Sequence, residues 1–481
     1  MAIETKLGWI LSGPVEAQVG ASYLTVCATH TLKIEACAIE HNLDNQLKQF
    51  WELEALGICS DEPSVYDQFM QRITFNGERY EVSLPWKPNH PPLPDHYDLC
   101  CKRLFSLLRR LKQNPSLLAG YDSVMKEQLE RGMIEEVKEN PESLHDHVHY
   151  LPHHGVVRQD KSTTKLRVVY DASARTSGPS LNDCLYAGPS FGPSIFDILL
   201  RFRLHPVIVA GVIEKAFLMV SVKEEDRDTL RFLWVRDIKE DNPEVMILRF
   251  TRVAFGVSSS PFLLNATIKH HMETYREVDP GFIKKLLHSI YVDDVTLGAE
   301  DVVSGYELYL KAKTRLAEAG FKLRKFITNY EELRERIDWN ERSEGFAETK
   351  ISCEEELLYA KSSLGNARGS SEDTHKILGI RWNHRRDELV FDIGEISQAM
   401  LELDPTKRNV VSMSARFFDP LGVVSPVTVL FKLFFQKSCE TKIGWDEPLT
   451  DELKTEWDQL LHALQGASTT LTVPRCYLGG A

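Results

Sequence analysis

A chain of 481 residues exceeds one ordinary domain, and about two to four are expected. The 43% hydrophobic and 26% charged fractions exclude a disordered or fibrous chain. Seventy acids against 57 bases give −13, which excludes binding nucleic acid by overall charge; a polynucleotide groove would need local segregation of Lys and Arg.

In chain order, Leu7–Leu11 reads as a short strand closing on Ser12-Gly13-Pro14, the end of something larger. About a hundred residues of mainly helix and turn are expected next. Leu43–Leu56 has helical spacing, and Asp95–Leu111 and Pro115–Arg131 are helices, the second ending at Gly132. Arg79–Leu84 alternates like a strand and stops at Pro85. His145, His147, His149, His153 and His154 follow; three imidazoles could share one strand face, yet no Cys is near and Leu151-Pro152 interrupts, so a strand with solvated edges is expected rather than zinc.

Lys165–Ser173 is a basic-then-apolar strand whose Lys165 and Arg167 leave the same face, which suits a triphosphate or a solvated surface. Pro206–Val220 is the most apolar strand candidate. Phe250–Leu264 runs through Gly256 into a serine-rich cap, where Pro261 opens a helix to about Glu277; Asp301–Gly320 is another helix. Phe321–Phe326, Lys376–Trp382 and Leu389–Ile393 read as strands. Asn340–Thr374, acidic and rich in Ser and Gly, reads as a mobile insertion. An apolar block, Ala415–Phe435, and a helix, Asp451–Leu464, follow.

Leu286–Gly298 (LLHSIYVDDVTLG) reads as a tight hairpin with Asp293 and Asp294 at its tip. Adjacent carboxylates repel; divalent cations with oxygen ligands would remove that cost. An isolated Asp-Asp is a surface turn as readily as a metal site, but Tyr291-Val292-Asp293-Asp294 resembles the YxDD box of reverse transcriptases.

LGWILSG, RYEVSLPWK, YLPHHGVV, LRVVYDAS, IEKAF, FTRVAFGVSSSPFLLNAT, YVDD, GFKLRKF, KILGIRWN and FFDPLGVVSPV together resemble the polyprotein of Pao/BEL retrotransposons over nearly the whole chain. The resemblance implies an α+β fold: reverse-transcriptase fingers and palm, an antiparallel palm sheet with helices on one face, flanked by a helical N-terminal region and a C-terminal connection region. Residues 1–14 would be the tail of a retropepsin-like protease, 15–114 a linker, 115–385 fingers and palm with 340–374 as the insertion, and 386–481 thumb and connection before an RNase H domain beyond the chain. No protease active-site triplet is present.

The implied activity is RNA-directed DNA polymerisation with two Mg²⁺ ions, roughly 3.5–4 Å apart, one activating the primer hydroxyl and one holding the triphosphate. By resemblance Asp293 and Asp294 are the catalytic, metal-binding acids; Lys165 and Arg167 hold the incoming triphosphate; Phe217 is the gate against the ribose 2′-OH. Phe255 and Gly256 line the nucleotide floor, and Lys325 matches a palm lysine that protonates pyrophosphate. The partners implied are an RNA or DNA template–primer, dNTPs and other polyprotein segments. With no N-terminal signal pattern, apolar runs too short for a bilayer and cysteines outside CxxC pairs, an intracellular, cytoplasmic protein that touches no membrane is expected.

One departure stands out. Where the family carries the aspartate that bridges both ions, this chain has Val212, in Gly211-Val212-Ile213-Glu214-Lys215-Ala216-Phe217. Glu214 is an unsuitable substitute, because the family has that Glu besides the Asp. A reverse transcriptase with impaired polymerase activity is expected; the alternative is a catalytically dead nucleic-acid-binding or scaffold protein.

Overall fold

A run reading Val-Ile-Val-Ala-Gly-Val-Ile suits a strand covered on both faces, and all seven residues of Val207–Ile213 are buried. A computed structural model describes residues 2–5, 8–11, 64–137, 148–158, 165–343, 374–466 and 470–477. The expected Leu43–Leu56 helix, His145 and His147, and nearly all of the 340–374 insertion lie outside the described residues.

The unit Met1–Pro63 contributes an antiparallel pair, β1 (Ala2–Thr5) and β2 (Gly8–Leu11). The unit Ser64–Ala481 begins with α1 (Val65–Arg72), β3 (Thr74–Phe75), β4 (Tyr80–Val82), α2 (Tyr97–Leu111), α3 (Pro115–Glu130) and β5 (Ile134–Glu136). Next come β6 (His153–Arg158), β7 (Lys165–Tyr170), α4 (Leu181–Cys184), α5 (Ile195–Leu204), β8 (Val207–Ile213), a 3₁₀ turn (Ala216–Met219), β9 (Ser221–Val222) and α6 (Glu224–Arg227). Strands β10 (Arg231–Val235) and β11 (Val245–Phe250) precede α7 (Ser260–Glu273), α8 (Pro280–Leu287), β12 (Ile290–Tyr291), β13 (Asp294–Ala299), α9 (Val302–Glu318), β14 (Leu323–Thr328) and α10 (Glu331–Ser343). The last part holds β15 (Thr374–Ile377), β16 (Ile380–Asn383), β17 (Glu388–Asp392), α11 (Ile393–Leu401), α12 (Lys407–Ser414), α13 (Ser425–Glu440), α14 (Asp451–Gly466) and β18 (Thr470–Pro474).

The fold is mixed α+β. Its central sheet has the order β12-β13-β8-β14, all antiparallel. One face buries Val209, Val295 and Leu297 with Leu263 and Ile268 of α7 and Tyr309 and Leu316 of α9. The other face was expected to be free of helices. Instead, Ile208 and Ala210 pack with Ile198, Leu199 and Phe202 of α5 and with Trp382 and Leu389 of the sheet β15-β16-β17-β18. That cover reaches a small cavity beside Val212, which Ile377 of β15 helps to line.

Three local expectations are corrected. Pro206–Val220 is a strand only to Ile213; Lys215 enters the left-handed region at φ 48° and the chain turns. Lys376–Trp382 is not one strand but a hairpin, because Leu378 (φ 48°) and Gly379 (φ 91°) make the two-residue turn that matches strand twist. Leu286 and Leu287 end a helix rather than start a strand, since Asp279 accepts from the Phe282 amide and Pro280 opens α8.

Among the described histidines of the cluster, His149 and His153 are buried and committed to protein partners. His149 Nδ1 donates to the Pro94 carbonyl at 2.6 Å. His153 Nε2 donates to Leu233 O at 2.8 Å, leaving Nδ1 to accept from Tyr121 OH. Burial lowers both pKa values to about 4, so these are neutral core imidazoles.

Candidate active site

The site is built where β13 leaves its hairpin. Tyr291 pairs with Asp294 across a two-residue turn, Val292-Asp293. Val292 sits at φ 57°, a conformation costly for a β-branched side chain and typical of functional turns. Asp294 faces Val212 on β8, and Arg324 of β14 faces Val212 from the other side. Paired residues share a sheet face, so one row across three strands reads acid, valine, arginine.

Asp294 is half-buried, and burial, with Asp293 beside it, raises its pKa from 3.8 to about 7. Val212 is 3% exposed and offers no oxygen. Glu214 is occupied: Arg324 Nε donates to it at 2.7 Å. The donor set does not fit a pair of divalent ions, because two carboxylates without a bridging third leave both shells short. Among the described residues no group of three or more metal-ligating side chains occurs.

Of the residues singled out from sequence, Val212, Asp294 and Lys325 line one small cavity of about 10 Å³, room for about one water. Lys325 stands in an irregularity of β14, at φ 56°, between Arg324 and Ile327. Phe217 and Phe255 meet edge-to-face, ring centroids 5.0 Å apart. Gly256 has φ 95°, and a Cβ there would lie 2.1 Å from the Tyr170 carbonyl, so no other residue fits. Tyr170 ends β7, the strand that carries Lys165 and Arg167, but Lys165 is five residues away, ~17 Å along an extended chain. Arg167 is half-buried, opposite Val156 in the β6–β7 hairpin.

Several residues here escaped the sequence reading. Asn182 brackets the glycine loop, donating to Gly256 O at 3.1 Å and accepting from the Ser258 amide at 2.8 Å. Lys215 pairs with Glu127 of α3 at 3.0 Å. Arg324 was visible in FKLRKF, but only strand register sets it beside Val212.

Two foamy viral proteins are among the solved structures similar to this chain. The foamy viral protease-reverse transcriptase in complex with double-stranded DNA is 14% identical, covering 90% of this chain and 58% of that one, with a TM-score of 0.46. A prototype foamy virus protease-reverse transcriptase mutant is 15% identical, covering 60% and 31%, with a TM-score of 0.34. The chain thus spans less than two thirds of either. No curated protein matches.

Residues 406–480 match the Pao retrotransposon-like RNaseH-like domain. This segment supports the chain as part of a Pao/BEL-type retroelement polyprotein. The RNaseH-like sequence therefore begins inside the chain rather than beyond it.

Proposed function

We propose that this chain is the RNA-directed DNA polymerase part of a retrotransposon polyprotein, with fingers and palm around β8 and the β12–β13 hairpin, and that its two-metal centre is impaired. The observation that carries the reading is Val212, set in register with Asp294 where a carboxylate would have to bridge two ions. The Arg324–Glu214 pair supports it, since the nearest spare acid is already neutralised. Phe217, Phe255, Gly256, Arg167 and Lys165 would receive a dNTP, and a template–primer would be held without efficient turnover. Cytoplasmic residence belongs to the same proposal.

The test is dNTP incorporation on a primed RNA template with Mg²⁺ or Mn²⁺. Wild type should extend poorly, and Val212→Asp should raise the rate by about a hundredfold or more, since metal-centred electrostatics supply several kcal/mol. Asp293→Asn in the Val212→Asp background should abolish the gain. Wild type extending as fast as Val212→Asp would overturn the account of the site. Template–primer binding without extension in every variant would favour the scaffold reading.

A further inference from the structure

A larger cavity, about 400 Å³, opens on the same sheet face as Asp294, between α5 and α8. Thr296 lines both this cavity and the small one beside Asp294. Thr296 and Gly298 lie two and four residues along β13 from Asp294, so the cavity begins ~7 Å and reaches ~14 Å from it. Gly298 lets the His205 ring rest against the strand at the cavity wall, since a Cβ there would lie 2.2 Å from that ring.

The walls concentrate positive charge in a chain of net −13. Arg201 spends one N–H on the His288 carbonyl at 3.0 Å, and Lys285 one on Gly298 O at 2.8 Å. Lys284 makes no side-chain bond, and none of the three is ion-paired among the described residues. The acid at the rim, Glu300, is taken by His205 Nδ1 at 2.7 Å. By contrast, Arg227, Arg236 and Arg249 each hold two or more carboxylates. Cations near a helix C-terminus can simply complement its carbonyls, and Arg201 does so at His288, the C-cap of α8. That role does not account for Lys284, for the remaining Arg201 donors, or for a cavity between them.

The volume is that of a small-ligand site, and the Phe202 ring gives an apolar wall beside the cations. Guanidinium and ammonium groups without an acid partner match phosphate oxygens, and an apolar wall matches a base or sugar. We infer that this cavity is a second site for a phosphate-bearing nucleotide unit, separate from the Asp293–Asp294 acids. The unit is either a free nucleotide or one residue of a strand running along β13. The site needs neither a metal nor a reaction, so it stands or falls apart from the polymerase proposal.

The full chain is titrated in magnesium-free buffer with two probes, a fluorescein-labelled single-stranded oligodeoxynucleotide and a fluorescent dATP analogue. Lys284→Glu is compared with Lys454→Glu, an equal charge change at an exposed position of α14. Lys284→Glu should weaken binding about tenfold and lower the salt dependence by about one ion, while Lys454→Glu leaves both unchanged. Loss confined to the oligonucleotide assigns the site to a strand; loss of the dATP analogue assigns it to a free nucleotide. Equal affinities for Lys284→Glu and Lys454→Glu with both probes, or no binding of either by wild type, overturn the inference.

Discussion

Two half-buried carboxylates meet opposite treatment in this molecule. Asp387 faces Arg475, which is fully buried, and that guanidinium uses every donor it has. Nε and Nη2 reach the two Asp387 oxygens at 2.6 Å, Nη1 reaches Phe202 O at 2.5 Å and His205 O at 2.6 Å, and Nη2 also reaches Pro206 O at 2.8 Å. Trp382 Nε1 adds a bond to Asp387 Oδ1 at 3.0 Å. Asp294, on the central sheet, has a second acid beside it and a valine opposite. The first arrangement gives its carboxylate a guanidinium partner, whereas the second sets a like charge beside Asp294 and an apolar side chain opposite.

Breaking the satisfied pair should have the largest effect. Asp387→Ala leaves a buried guanidinium unpaired and should cost about 3–5 kcal/mol in denaturant unfolding. Arg475→Lys should also destabilise, because one ammonium cannot reach five acceptors. Gly256→Ala should come next, at about 3 kcal/mol, from left-handed strain plus the clash with Tyr170 O.

Asp294 should behave in the opposite sense. Its folded pKa, about 7, lies above the ordinary 3.8, so the folded state holds a proton that the unfolded state has released between those values. Its contribution is therefore most favourable below about pH 4 and is lost as pH rises to about 7. Asp294→Asn should leave stability unchanged at pH 4 and raise it by about 2 kcal/mol at pH 8, solvent screening taking part of the full effect. A pH-independent difference would show that Asp294 is not the group titrating. Val292→Gly should stabilise by about 1 kcal/mol through relief of the turn. Smallest of all, excess magnesium should move the melting temperature of wild type by less than it moves that of Val212→Asp.

How much was legible follows from the range of the signals. β8 and the turn after Tyr291 were readable because an apolar run and two adjacent acids are local patterns. The β15–β16 hairpin was hidden because its turn needs Leu378 in a conformation that leucine rarely adopts. The start of α8 hid behind an apolar run, where Asp279 and Pro280 were the signals to weigh. The position of Val212 came from the resemblance; strand register then set Arg324 against it. Arg475 could not be found at all, since one polar residue bonding across more than two hundred positions leaves no periodicity.

That separation carries a consequence for how the protein is made. The carbonyls of Phe202, His205 and Pro206 at the end of α5 are closed by a side chain synthesised 269 to 273 residues later. At about 5–20 residues per second the nascent chain waits roughly 15–50 s before that donor leaves the ribosome. β18, which pairs with β17 just before Arg475, arrives in the same moment. Until then the edge of β17 and the foot of β8 are open, and a chaperone or a neighbouring nascent chain has that interval in which to find them.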